Sequence, residues 1–329
     1  MQMKVTVDIL VLGAGWTSTF LTDLCQERGV SYATTTRSGR DSTIKFTFDP
    51  ASDEMEPYRV LPDAEVVLIT FPIVQRGASE RLVKLYTDSH RREGLTTKFI
   101  QLGSTGMWDG PRLAAKLGGP SQVNQHQWYD RHSPYTSTPR SDAEDELLAL
   151  SPTFPTTILN LAGLWGGTRQ PRNWVARVAP TKEVLESKGS LHLIHGIDIA
   201  RAILAIHNDF SKAQGQRWIL TDGRVYDWWD LASAWGSAPS APTKSAQEAE
   251  RHAIGSPSSP ASAIGLSSQQ HKATEVEEDR GPQPAWVREL MQDHGIRGLP
   301  RDVQSLGRAL DSRDFWLTFG LNPWMTLFS

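Results

Sequence analysis

The chain has 329 residues, 39% of them hydrophobic, and a formal net charge of −3 with its basic residues scattered. That length allows one large domain or two ordinary ones, and the scattered charge excludes the basic stripe of a nucleic-acid-binding surface. Cys25 is the single cysteine, which excludes an intrachain disulfide and a thiolate metal cluster.

Val7 to Gly15 is apolar apart from Asp8. The run is too short for a membrane span and leads into a glycine loop, so a buried strand explains it better than a signal peptide. No other stretch approaches the roughly 18 apolar residues of a transmembrane helix. The chain is therefore expected to be soluble and cytoplasmic, acting on a small molecule, with no nucleic-acid or membrane partner.

Short apolar runs alternate with helical patterns through the first half. Val7–Leu12 reads as a strand. A glycine turn follows, then a helix with Phe20, Leu21, Leu24 and Cys25 at helical spacing, ended by Gly29. Ser31–Thr36 and the alternating Ile44–Phe48 read as strands two and three. Ala64–Phe71 reads as a fourth strand, stopped by Pro72, and Arg76–Glu93 as a helix with Leu82, Leu85 and Tyr86 on one face. Lys98–Leu102 and Thr157–Leu164 are further strands, separated by an acidic helix around Asp142–Leu150. Beyond Gly166 come a short strand Leu191–Ile194, a helix Asp198–Ile206 and a strand Trp218–Thr221.

Near-continuous apolar strands alternating with helices predict an α/β fold, a doubly wound parallel sheet covered on both faces. Residues 236–284 are dominated by Ser, Ala, Pro, Gln and Glu. Such a segment buries too little apolar surface to offset its chain entropy and is expected to be a disordered polar insertion.

The segment Gly13-Ala14-Gly15-Trp16-Thr17-Ser18 sits between the first strand and the first helix. In a dinucleotide-binding loop the first glycine makes the tight turn and the second lets backbone approach the pyrophosphate. The helix N-terminus beyond offers free N–H groups and partial positive charge. Ser18 holds the third position, small enough for helix–strand packing. The strand–turn–helix context raises the motif above a string match.

Strand two ends Thr35-Thr36-Arg37, with no acid before Asp41. NAD-selective proteins usually carry an Asp or Glu about 20 residues after the glycines. An arginine there suits the 2′-phosphate of NADP(H) instead.

Several motifs then fall in a recognisable order. They are Gly13-Ala14-Gly15-Trp16, Thr35-Thr36-Arg37, Thr70-Phe71-Pro72, Gly103-Ser104-Thr105-Gly106, Leu161-Ala162-Gly163-Leu164-Trp165-Gly166, His195-Gly196-Ile197-Asp198, Leu310-Asp311-Ser312-Arg313 and Phe319-Gly320-Leu321-Asn322-Pro323. On them the chain resembles an atypical extended short-chain dehydrogenase/reductase, of the group with a GxGWxG-type loop. The resemblance spans nearly the whole chain apart from the polar segment. It implies that Gly13–Ser18 hold the pyrophosphate, that Arg37 holds the 2′-phosphate, with Thr36 beside it among the cofactor-binding residues, and that Thr70, Phe71 and Pro72 line the adenosine side. It also implies that Leu102, Gly103, Ser104, Leu161, Ala162 and Gly163 flank the nicotinamide. A Rossmann core over 1–166, rejoined by a strand at 216–222, is implied, with a substrate cap from 167–215 and 223–329.

Active members of that family resemble one another in a serine plus Tyr-x-x-x-Lys, where the lysine lowers the tyrosine pKa. None of the six tyrosines is followed four residues later by lysine. Where the motif would fall, the chain reads Arg140-Ser141-Asp142-Ala143-Glu144-Asp145-Glu146. Ser104 and Thr105 hold the place of the family's serine, and Tyr129 and Tyr135 lie shortly upstream. Each also has a bland reading, as a turn residue or as packing. Ser104, Thr105 and Tyr129 are the catalytic candidates. No metal site is expected, since His192 and His195 flank a predicted strand on opposite faces, and Asp198 is expected to cap the following helix. Trp228 and Trp229 fit either an aromatic pocket or the core. The function expected is that of an NADP(H)-dependent oxidoreductase on a small carbonyl or hydroxyl compound. The alternatives are a non-catalytic NADP(H)-binding sensor or scaffold, and a cofactor-assisted epimerase or dehydratase.

Overall fold

The computed structural model describes residues 6–90, 96–109, 128–236 and 281–328. Seven parallel strands form one sheet: β1 (Thr6–Leu12), β2 (Tyr32–Thr36), β3 (Ile44–Lys45), β4 (Asp63–Ile69), β5 (Lys98–Ser104), β6 (Thr156–Leu161) and β7 (Arg217–Leu220). Their spatial order is β7-β6-β5-β4-β1-β2-β3, the doubly wound Rossmann arrangement with its reversal between β1 and β4. Every strand pair in the sheet is parallel, for example Ile9 opposite Tyr32 and Val66. Ile9–Leu12 and Val66–Ile69 are fully buried, because helices cover both faces and leave the strands no solvent side.

Four helices make those covers. On one face α1 (Trp16–Arg28) packs against α4 (Gly196–Asn208), enclosing Ile9, Val11, Val66, Leu68, Ile100 and Leu159. On the other, α2 (Ala78–Ser89) packs against α3 (Pro139–Ala149) over Leu10, Leu12, Val67, Ile69 and Phe99. Cys25 lies in the first cover, and burial pushes its thiol up to about 11. It is thus an apolar filler rather than a reactive thiolate.

Several elements differ from the sequence pattern for local reasons. The third strand stops at Lys45. Phe46 still donates its N–H to Thr36, but Phe46 and Phe48 leave the ladder. The expected strand Thr157–Leu164 divides after Leu161, and Gly163–Trp165 pairs instead with Leu193–His195. Gly163 permits this because a Cβ there would lie 2.9 Å from the His192 carbonyl oxygen. The expected strand at Leu191–Ile194 is accordingly shifted to Leu193–His195. The helix expected over Arg76–Glu93 covers Ala78–Ser89, and residues 91–95 are outside the described set. His195, not Asp198, caps α4, with its Nδ1 accepting the Ile197 N–H at 3.1 Å.

Asp198 has a different task. It is wholly buried, accepts N–H bonds from Trp324 and Met325 at 2.9–3.0 Å, and pairs with Arg201 at 2.7 Å. Arg201 also donates to the Asn322 carbonyl and stacks 3.9 Å from the Trp324 ring. The last described residues are thereby fastened to α4. Nearby, the Tyr226 phenol donates to Asp222 at 2.6 Å and accepts the Leu327 N–H.

The chain divides into two compact units, one of 1–170, 189–226 and 302–329, the other of 171–188 and 227–301. In the second, Arg301 grips Asp227 at 2.6 Å, donates to the Lys188 carbonyl and stacks 3.9 Å from the Trp229 ring. Trp229 in turn donates to the Leu185 carbonyl. Trp228 and Trp229 are both buried, so this tryptophan pair is core. Most of the expected polar insertion, 237–280, lies outside the described residues. Its final residues are helical rather than irregular: Gln283 and Pro284 open the helix Gln283–Asp293, and Gln283 is buried with its amide on the Ala179 carbonyl. Among the described residues, no helix is long and apolar enough to cross a membrane.

Replacing Asp198 with alanine leaves Arg201 buried and two backbone donors unpaired. It is expected to lower stability by about 3–5 kcal/mol in urea unfolding and to make the C-terminal segment protease-sensitive. Stability unchanged within error would contradict this account of the tail. Burial also raises the Asp222 carboxyl from its ordinary 3.8 to about 6. A group with a raised folded-state pKa stabilises below its unfolded value and loses that contribution as pH rises through the folded one. The wild type should therefore lose stability relative to Asp222→Asn between about pH 4 and pH 6; parallel pH–stability curves for the two proteins would refute it.

Candidate functional site

The carboxyl ends of β1, β2 and β4 meet at the glycine loop. Gly13 turns the chain with φ +91°, a conformation a side chain resists. A Cβ there would also lie 2.8 Å from the Thr70 hydroxyl and 3.0 Å from the Phe71 ring. Thr35, buried in β2, holds the turn from one side: its Oγ1 accepts the Gly13 N–H at 3.0 Å and its carbonyl accepts that of Ala14 at 2.6 Å. Thr70 holds it from the other, donating to the Leu12 and Gly13 carbonyls.

Beyond the turn the loop opens. Gly15 is exposed, and a Cβ on it would meet only the Gly13 carbonyl, at 4.0 Å. Gly15 caps α1 without any side-chain bond to the free N–H groups of the first turn. Thr17 and Ser18 are buried, with the Ser18 hydroxyl on the Gly15 carbonyl at 2.6 Å. The serine thus substitutes for the third fingerprint glycine by packing and a local bond. Trp16 turns away from the cleft. Its indole N–H reaches the Gly166 carbonyl at 3.2 Å, and its ring lies under Arg169 and against Phe20.

Next to the loop is a cleft of about 740 Å³, within the range of small-ligand sites. Gly13, Ala14, Thr36, Arg37, Thr70, Phe71 and Pro72 line it, all of them expected from the sequence. So do residues that sequence reasoning missed: Thr35, Ser38, Arg40, and an apolar wall of Phe46, Phe48, Pro50 and Ile73. Phe48 and Phe71 stack with centroids 5.6 Å apart. The signal for Phe46 and Phe48 is the alternation Ile44-x-Phe46-x-Phe48, whose period is that of a strand although the strand ends at Lys45. Arg37 is exposed and pairs with no carboxylate among the described residues, whereas Arg40 pairs with Asp41 at 2.7 Å.

The remaining candidates lie one and two strands further along the same sheet edge. Gly103 and Ser104 end β5, and Leu161–Gly163 follow β6. They line no part of the large cleft; Ser104 opens instead on a separate cavity of about 150 Å³. Its hydroxyl accepts the Gly106 N–H at 3.2 Å, leaving its own proton to give. Thr105 is buried, its hydroxyl directed to the Leu161 carbonyl and its carbonyl taken by Arg308. Tyr129 is half-buried against Met107, Trp108, Ile219 and Leu310. The Tyr135 phenol is spent on Asp145, at 2.7 and 2.8 Å. His192 and His195 serve the backbone separately. His192 accepts the Leu310 N–H at 3.0 Å, and burial lowers its pKa to about 3.

No protein-family model matches the chain, and no curated protein matches it in sequence. Solved structures are similar in fold. Gre2 from Candida albicans superposes with a TM-score of 0.56 at 9% identity, covering 98% of this chain and 96% of that one. Yeast methylglyoxal/isovaleraldehyde reductase Gre2, complexed with NADPH, gives 0.51 at 13%, covering 98% and 94%. A short-chain dehydrogenase/reductase superfamily protein from Agrobacterium tumefaciens with bound NAD gives 0.53 at 10%, covering 98% and 93%. The chain has the Rossmann fold, of the form found in short-chain dehydrogenase/reductase-like proteins.

Because Thr35 alone joins its side chain to the Gly13 amide, Thr35→Val keeps the shape and removes the bond. An unfolding loss of about 1 kcal/mol is expected from the lost bond to this half-buried donor. Amide exchange at Gly13 should quicken with it; a variant as stable and as protected as wild type would refute the role.

Proposed function

We propose that this protein binds NADP(H) and is an oxidoreductase that reduces or oxidises a small carbonyl or hydroxyl compound. The observation that carries the reading is Arg37, just after β2, a guanidinium that lines the cleft beside the glycine turn and pairs with no carboxylate among the described residues. In this reading Gly13–Ser18 take the pyrophosphate, Thr36 and Arg37 the 2′-phosphate, and Thr70–Pro72 the adenosine. The residues present suit such a group: Gly15 has open space where backbone must approach, and the first turn of α1 has unclaimed donors. The NADPH and NAD in the fold neighbours named above support a nicotinamide cofactor.

Gly103, Ser104 and Leu161–Gly163 are assigned to the nicotinamide end, with Ser104, Thr105 and Tyr129 as the groups nearest the reacting centre. The substrate cap is drawn from residues beyond 166. Hydride transfer is the cofactor's own chemistry, so the chain's part is to bind, orient and supply the proton. A second reading, a non-catalytic NADP(H)-binding sensor or scaffold, is favoured by the lack of Tyr-x-x-x-Lys. The epimerase or dehydratase reading uses the same cofactor cleft.

The test is a titration with NADPH and NADH, followed by energy transfer from tryptophan, on wild type and Arg37→Ala. NADPH is expected to bind more tightly than NADH. Arg37→Ala should weaken NADPH about 10–100-fold, the worth of a charge-assisted bond, while leaving NADH nearly unchanged. Equal affinities that ignore the substitution would remove the NADP(H) assignment, and failure of both nucleotides would remove the cofactor.

A further inference from the structure

Helix α3 carries Arg140 and Glu144 one turn apart, in the stretch where the resemblance would put tyrosine and lysine. Both line the smaller cavity of about 150 Å³, together with Ser104, Thr138 and Ser141. Glu144 is 1% exposed, a position a lone carboxylate does not tolerate. Asn160 donates to it at 2.7 Å, Arg140 at 3.2 Å and Arg217 at 3.4 Å. Gly103 makes room for the group: a Cβ there would fall 2.7 Å from Glu144 Oε1 and 2.2 Å from Asn160 Nδ2.

The cluster holds more polarity than it uses. Asn160 and Gln101 are wholly buried on neighbouring strands. Asn160 Oδ1 and both ends of Gln101 lack partners among the described residues. Asn160 is the direct link to the cavity, through its bond to Glu144. Arg140 is only partly committed as well. Its Nε goes to Glu144 and its Nη2 to the Leu102 carbonyl at 2.8 Å, while Nη1 has no partner there. The other charges facing the cluster are Asp145, which binds Arg217 at 3.0 Å and accepts the Tyr135 phenol, and Arg217, which stacks on the Tyr135 ring and whose Nε has no partner among the described residues.

We propose that this cavity binds the carboxylate of a small oxo- or hydroxy-acid, with Arg140 as its cationic partner and the Ser104 hydroxyl as a second donor, and that Glu144 takes up one proton from solvent when it binds. An incoming anion draws Arg140 away from Glu144 and adds a like charge beside it, both of which favour the protonated carboxyl. Burial already raises Glu144 above the ordinary carboxylate range, against the pull of Asn160 and the two arginines. The proton then lies beside the bound acid, where reduction of a carbonyl calls for one. The inference rests on the oxidoreductase reading for its purpose, and acid binding is read both with and without the cofactor.

Oxamate, a small carboxylate isosteric with a 2-oxo acid, is the probe. It is titrated calorimetrically into the full chain near pH 6.5, with and without NADPH, in two buffers of different ionisation enthalpy. Oxamate is expected to bind with uptake of up to one proton. Arg140→Gln should weaken binding about tenfold or more, Ser104→Ala several-fold, and Glu144→Gln should keep binding but abolish the uptake. Melting curves establish that each variant is folded, and Ser104→Ala stands as the test should Arg140→Gln not fold. The neutral diamide oxamide should bind far more weakly. Absence of oxamate binding while NADPH binds overturns the cavity and spares the cofactor reading. Oxamate binding that depends on Ser104 or Arg140 without any NADPH binding does the reverse. Binding indifferent to both residues, equal binding of oxamide, or no proton uptake overturns the proposal.

Discussion

The shape of the loop after β1 hangs on one residue of β2 that reaches across to it. Thr35 accepts the amides of Gly13 and Ala14, and Thr70 from β4 pins the carbonyl of Gly13 on the opposite side. This bracing is available only because β2 and β4 are the two neighbours of β1. Strand order, reversal point and loop shape are thus a single constraint. Its chemical consequence is that the first two amides of the loop are spent on the protein.

Much of this could be read from the residues alone. The continuous apolar runs of β1 and β4 showed strands buried on both faces, and the glycine turn was legible because few other residues adopt φ +91°. The place of Arg37 in the cleft was legible because it follows directly on the end of β2. What escaped was whatever depends on contact between distant segments. Thr35 looks like any β-branched strand residue until the loop lies beside it. Asp198 has the spacing of a helix cap, yet its oxygens serve amides more than 120 residues away, and His195 does the capping instead. The alternation at Ile44–Phe48 has the period of a strand, but the partner ladder ends at Lys45, and the phenylalanines that follow become wall.

Other motifs mark packing rather than chemistry. Trp16, Phe20, His195 and Trp165 form a chain of edge-to-face rings with centroids 4.6–5.4 Å apart. Gly166 and Gly196 lie against that chain, where a Cβ would fall 2.2 Å from His195 and from Phe20 respectively. The tryptophan that follows the glycine loop, the glycine after Trp165 and the His-Gly pair before α4 are therefore three views of one interlocked joint. Sequence order showed that they belong together, but only the fold shows that they hold α1 to α4.

The site under Gly103 bears on how this scaffold could be re-engineered. Placing a tyrosine and a lysine at positions 140 and 144 looks like a change of two letters. In this chain it would remove Arg140 together with the carboxylate that Asn160 addresses, and would bring a lysine beside Arg217. Among the described residues, Asp145 would be the acid left to pair with Arg217. Such a graft would have to redesign β6, β7 and α3 together, because the partners of Glu144 are built into the core as well as the surface.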